Sequence, residues 1–364
     1  KGATALAAGV AIPGPWGATG GPAAAVSDEF AALDALGQAE LVRSGAVSPR
    51  ELVAAAIARI ERWNPVLNAV VATDFGRALE RAEQDLPEGP FTGVPYLIKD
   101  LVEYEGVAWR SGSRLFAGRI GRTNPEYVER TLATGVVVLG KSNTPELGLL
   151  PVTEPFLCGA ARNPWSTDHT PGGSSGGAAA AVASGMVPFA HASDGGGSIR
   201  IPAACCGLFG MKVSRGRQPE PGPPMPGELS VNHVVSRSVR DSEVMLQATA
   251  RTAADGSTLP PPVPEPGAPA RTLRIAWATR DYSGATVDAE CLAAAESAAR
   301  LCALLGHEVE EADTGIDGAR FIESFLVLWS WIPHALLTQV ERATGAAPPR
   351  GVLEPWSWGL AEHF

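Results

Sequence analysis

PGGSSGGAAAAVASGMVPFAHASDGGGSIRIPA, residues 171–203, sets Ser174 and Ser175 between paired glycines and places Ser198 directly after Gly195, Gly196 and Gly197. Between the clusters, AAAAVAS reads as a short helix closed by Gly185, its small side chains permitting close packing. MVPFA (186–190) reads as a buried strand. Consecutive glycines let backbone N–H groups converge on one point without Cβ obstruction, which suits a phosphate or a transient oxyanion. A phosphate loop requires G-x-x-x-x-G-K-[ST] or G-x-G-x-x-G, and neither GGSSGG nor DGGGS provides the lysine or the spacing. Tight turns and serine helix caps explain either cluster alone. A catalytic serine site uses both.

Such a site needs a base, because serine is a poor nucleophile at its own pKa. His191 and His169 are near in sequence, but neither lies in a recognisable triad context. A lysine can serve if burial or neighbouring positive charge keeps its amine neutral. Lys99 closes the apolar run VPYLI (94–98) and precedes Asp100, so it ends a buried strand; the alternative for such a lysine is a snorkelling surface residue.

The surrounding chain reads as α/β. Ser48-Pro49-Arg50-Glu51 is a capping box with proline at the first helical position, followed by the amphipathic LVAAAIARIERW. NAVVAT (68–73), VPYLI and VVVLG (136–140) are short apolar runs of the kind that form buried strands. Asn124-Pro125-Glu126 opens a helix that Gly135 can close, so strands and helices alternate. LRIAWA (273–278) and DAECLAAAESAARLCALLG (288–306) form a later strand and helix pair. The proline-rich stretches 217–229 and 259–270 read as surface loops.

Composition excludes several functions. A net charge of -10 on 364 residues, with no basic cluster, argues against nucleic acid as a partner. The 5 cysteines form no CxxC pair and none stands at zinc-like spacing from the 6 histidines, so no metal site is expected and the thiols are read as free and mostly buried. GATALAAGVAI near the start is too short to span a bilayer, and Ala23-Ala24-Ala25 fits an A-x-A cleavage site. Residues 1–26 are therefore expected to be the remnant of an export signal, of twin-arginine type, with a periplasmic or secreted product; the alternative is an Ala/Gly-rich N-terminus on a cytoplasmic protein.

GGSSGG followed by DGGGSIRIP resembles the amidase signature family. The likeness extends through VPYLIKD (94–100), GKSNTPELG (140–148), VTEPFLCGAARNPW (152–165) and CCGLFGMKVSRGR (205–217), from about Ser27 to the last residue. It implies an α/β fold with a central mixed sheet covered by helices on both faces, and an amidase catalytic domain over 27–364 that lacks the C-terminal part relatives carry. It implies a Ser-cisSer-Lys triad, with Ser198 the nucleophile, Ser174 the proton relay held by a cis bond from Gly173, and Lys99 the final base. The backbone amides of Gly195, Gly196, Gly197 and Ser198 would form the oxyanion hole. Ser175 is expected to hydrogen-bond within its cluster. Asp194 and Arg200 either hold the nucleophile loop or form an ordinary loop salt bridge. Ser111-Gly112-Ser113 falls where the family often lines its pocket with small hydroxyl residues, a plain turn being the other reading. Trp109 and Trp165 either contact substrate or fill core, and core is the preferred reading. Gly195 and Val213 depart from the family pattern outside the three reacting side chains.

The resemblance implies hydrolysis of a small amide through an acyl-enzyme, with no cofactor, no stable membrane insertion and a homodimer allowed. Within the family the chain looks like general bacterial amidases and aminohexanoate cyclic-dimer hydrolases. Two alternatives stand beside this reading: the glutaminase subunit of glutamyl-tRNA amidotransferase, and an inactive binding protein on the same fold.

Overall fold

The computed structural model describes residues 29–219, 229–251 and 271–364. The expected leader, 1–26, lies outside the described residues, as do most of the loop 217–229 and all of 259–270. The chain divides into two compact units, residues up to 262 with 349–357, and 263–348 with 358–364.

The first unit alternates helices and strands: α1 (Ala35–Arg43), α2 (Pro49–Leu67), β1 (Val70–Thr73), α3 (Phe75–Arg81), β2 (Pro95–Lys99), α4 (Glu126–Leu132), β3 (Val137–Ser142), α5 (Gly176–Ala183), β4 (Phe189–Asp194), α6 (Arg200–Cys206), β5 (Phe209–Gly210), β6 (Val231–Ser236) and α7 (Val239–Thr249). The Ser48 box starts α2 as expected: Ser48 Oγ accepts from the Glu51 N–H at 3.2 Å, and Glu51 Oε2 accepts from the Ser48 N–H at 2.8 Å. The helix runs through Pro65 and stops where Asn68 turns left-handed, at φ 46°.

Strands β1, β3 and β2 form a mixed sheet, with β1 antiparallel and β2 parallel to β3; β4, β6 and β5 form an antiparallel one, and β4 packs beside β2. Side chains alternate between two cores. Leu97, Val137, Leu139, Ala190 and Ala192 join residues of α2 and α5 on one face, while Tyr96, Ile98, Val138, Phe189 and Val234 join residues of α1, α4 and α7 on the other. Helices therefore cover both faces, as the resemblance implied. Strand β4 begins later than MVPFA promised, because Pro188 has no N–H for a ladder and the strand starts after it.

In the second unit, β7 (Arg274–Trp277) and β8 (Glu308–Glu311) pair in parallel through α8 (Ala289–Leu304), and α9 (Gly318–Thr344) follows. By length and composition α9 is long and apolar enough to cross a membrane; Phe321, Phe325 and Trp329 stack along it, with centroids 6.1 and 5.0 Å apart. The last helix, α10, spans Pro355–His363.

All five cysteines are free, but only Cys206 is buried, against the expectation of mostly buried thiols. Cys291 lies on α8, none of whose residues is buried. Helix α5 is enclosed, every residue from Gly176 to Val182 being buried. A Cβ on Gly177 would come 2.5 Å from the Ala69 carbonyl oxygen and 2.7 Å from Asn143 Cα, both backbone atoms that cannot swing aside. Gly177→Ala is therefore expected to lose about 1–3 kcal/mol of stability in denaturant unfolding, the usual cost of overpacking.

Candidate active site

Lys99 ends β2, Ser174 lies in the loop before α5, and Ser198 lies in the loop between β4 and α6. Lys99 is the last residue of β2 and fully buried. Its Nζ lies 2.7 Å from Ser174 Oγ, 3.1 Å from Ser193 Oγ and 3.5 Å from the Ser193 carbonyl oxygen. Burial lowers the Lys99 pKa to about 7, against the opposing pull of the Asp194 carboxylate. An amine in that range is substantially neutral near neutral pH, with a lone pair free to accept a hydroxyl proton.

Ser174 follows a cis peptide from Gly173, just before α5. Thr153 Oγ1 braces this loop, donating to the Gly172 carbonyl at 2.9 Å and accepting from the Gly176 N–H at 3.2 Å. Gly148, at φ +71°, passes so close that a Cβ there would sit 3.3 Å from Ser174 Oγ. Ser175 hydrogen-bonds beyond its own cluster: its hydroxyl donates to the Ser193 carbonyl and accepts from the Ser193 N–H, both at 3.3 Å, and its N–H donates to the Ser198 carbonyl at 3.3 Å. The two glycine-serine clusters are thereby stitched together.

Asp194 organises the loop after β4. Its carboxylate accepts from the N–H groups of Gly197 at 2.8 Å, Ile199 at 3.2 Å and Arg200 at 3.4 Å, and from the Arg200 guanidinium at 2.9 and 3.0 Å. Burial alone would raise its pKa, but Arg200 and these amides outweigh burial and hold it below the ordinary carboxylate range. Gly197, at φ +128°, donates its N–H to Asp194. Among the described residues, the amides of Gly195, Gly196 and Ser198 make no hydrogen bond to protein. Ser198 is 7% exposed, and no hydrogen bond joins its hydroxyl to Ser174.

Other expected residues fall elsewhere. Trp165 is 46% exposed, its indole N–H donating to the Cys206 carbonyl, and Trp109 is half-buried beneath the Arg119 guanidinium at 3.4 Å; neither is a core residue, because each indole faces a polar partner at the rim. Ser111 turns left-handed at φ 51°, and Ser113 donates to Glu146 Oε1 at 2.7 Å. His169 is exposed and pairs with Ser166.

Sequence reasoning missed Ser193, Thr153 and the pair Lys141–Asp100. Lys141 Nζ stands 3.7 Å from Asp100 Oδ1 and donates to the Val102 carbonyl, with both side chains out of water. Burial pushes the Lys141 pKa down and that of Asp100 up, each countered by the other's charge. Lys141 lies in the GKSNTPELG motif, but a lysine in a strand gives no sign of being enclosed until its partner is known.

Over residues 51–363 the chain matches the family model described as Amidase. The chain belongs to the amidase family. The Mycobacterium tuberculosis protein AmiC, assigned as an amidase, is 38% identical over 342 residues, covering 93% of this chain and 72% of AmiC. The 6-aminohexanoate-cyclic-dimer hydrolase of Paenarthrobacter ureafaciens is 40% identical over 324 residues, covering 85% of this chain and 64% of that one. Among solved structures, a 6-aminohexanoate cyclic dimer hydrolase complexed with substrate superposes at a TM-score of 0.84 with 35% identity, covering 92% of this chain and 72% of the other. A bacterial aryl acylamidase of the amidase signature family superposes at 0.82 with 29% identity, covering 91% and 72%. This amidase is thus a hydrolase acting on amide bonds, built on the amidase signature fold.

Because Asp194 collects five donors, Asp194→Asn would set an amide NH2 against N–H groups and the guanidinium. About 2 kcal/mol of loop stability should be lost, in keeping with hydrogen bonds to a charged group. The expected readout is a lower Tm together with a fall in kcat.

Proposed function

We propose that this amidase cleaves small carboxylic amides through an acyl-enzyme on Ser198, with Ser174 as proton relay and Lys99 as base. The observation that carries this reading is the 2.7 Å contact between Lys99 Nζ and Ser174 Oγ in a site where burial holds the amine near pKa 7. Neutral Lys99 takes the Ser174 hydroxyl proton as Ser174 takes that of Ser198, and Ser198 Oγ bonds to the amide carbon. The carbonyl oxygen becomes an oxyanion, for which the uncommitted amides of Gly195, Gly196 and Ser198 are the available donors. When the C–N bond breaks, the proton returns through Ser174 to the departing amine, leaving the Ser198 ester. Water then gives its proton to the same relay, attacks the ester carbon and releases the acid, and the Ser198 oxygen recovers a proton.

Similarity to the cyclic-dimer hydrolase and the aryl acylamidase supports small cyclic and aryl amides as the first substrates to assay. Ser198→Ala should lower kcat about a thousandfold or more while leaving Tm unchanged. A serine-reactive phosphonate should mark Ser198 by mass spectrometry, and a label elsewhere would remove the assignment.

The acid limb tests the base. Protonated Lys99 is inactive, so kcat/KM should rise with pH through an apparent pKa near the value of about 7 set by burial. Lys99→Arg keeps the charge but cannot deprotonate, and should lose nearly all activity across that range.

A further inference from the structure

Strands β2 and β4 lie side by side, yet among the described residues no backbone ladder bond joins them. A histidine ring fills that role. The Lys99 backbone N–H donates to His191 Nδ1 at 3.2 Å, and His191 Nε2 lies 3.1 Å from Asn232 Oδ1 on β6. Asn232 in turn donates from Nδ2 to the Pro219 carbonyl at 3.4 Å, which turns its Oδ1 toward the ring.

The direction of every bond in this chain follows from its ends. A backbone N–H can only donate, so Nδ1 must present a lone pair, and the single ring proton sits on Nε2 facing an oxygen acceptor. The ring is 1% exposed and 5.3 Å from the Tyr127 ring of α4. Burial takes its pKa down to about 3, and the nearby Lys99, Lys141 and His233 add to the shift, so one neutral tautomer persists across the working range. A protonated ring would set a second N–H against that of Lys99.

We propose that His191 is a positioning residue for Lys99: its Nε2–H tautomer, oriented by Asn232, pins the Lys99 backbone at the end of β2 so that Nζ reaches Ser174 Oγ. This rests on the reading of Lys99 as the base. Misplacing a reacting group by about 1 Å can cost on the order of 100-fold in rate, so an anchor on the backbone of the residue that carries the amine is well placed to govern kcat.

The test compares His191→Leu, which removes the acceptor, with His191→Asn, whose Oδ1 can stand where Nδ1 stood, by kcat, KM and Tm on an amide the enzyme turns over. His191→Leu should lower kcat about 10- to 100-fold with KM unchanged, and His191→Asn should recover it to within about fivefold of the unaltered enzyme. Asn232→Leu provides a second route if His191→Leu does not fold: without its oxygen the ring is free to move its proton to Nδ1, and kcat should fall while KM holds. Unchanged kcat in His191→Leu and Asn232→Leu would overturn the proposal. So would equal damage to kcat, KM and Tm in both His191 variants, which is the mark of packing alone. Lys99→Arg, measured alongside, separates the two levels. If it stays active while His191→Asn is dead, the histidine is itself the base and the Ser-Ser-Lys reading falls; if Lys99→Arg is dead and Asn fails to rescue, only the positioning role falls.

Discussion

A primary amine removed from water at the junction of two strands governs this molecule. An ammonium would be costly there, and a neutral amine still needs its N–H groups answered, so the chain surrounds Lys99 with hydroxyl and carbonyl oxygens from Ser174 and Ser193 and, among the described residues, with no carboxylate in direct contact. The rest of the unit arranges itself around that choice. The two cores on either side of the strands exclude water, and α5, stripped of side chains larger than valine over its buried length, allows the Ser174 loop to approach the end of β2.

Negative charge is present but is kept occupied. Asp194 is buried close enough to raise the Lys99 pKa, yet its own oxygens are turned to Arg200 and to three backbone amides. One carboxylate thus shapes the nucleophile loop and tempers the effect of burial on the amine. Lys141 and Asp100 repeat the logic one position away as a closed pair, so the residue following Lys99 brings no unpaired charge to the site.

Much of this was legible in the chain. The Ser48 box, the runs 68–73, 94–98 and 136–140, and the paired glycine-serine clusters each express a local rule, and those segments form where the rules place them. What escaped depends on distant partners. VNHVVS became β6 although Asn232 and His233 interrupt its apolar pattern; Asn232 pairs with His191 across the fold, and His233 Nε2 pairs with Ser242 on α7. The glycines of DGGGS all looked equivalent, and the bond to Asp194 at a φ of +128° distinguishes Gly197 from its neighbours. Tryptophan composition pointed to core, but Trp109 and Trp165 found polar partners at the rim.

The buried amine also ties folding to proton release. In the unfolded chain Lys99 is an ordinary lysine, charged up to about pH 10.5, whereas in the folded chain it releases its proton near pH 7. Between those values the unfolded state binds the extra proton, so this residue's contribution to stability improves as the medium becomes alkaline and is least favourable below pH 7, where the folded protein must hold a charged group without water. Acid therefore acts twice through one atom: it silences the amine as a base and loosens the fold that encloses it.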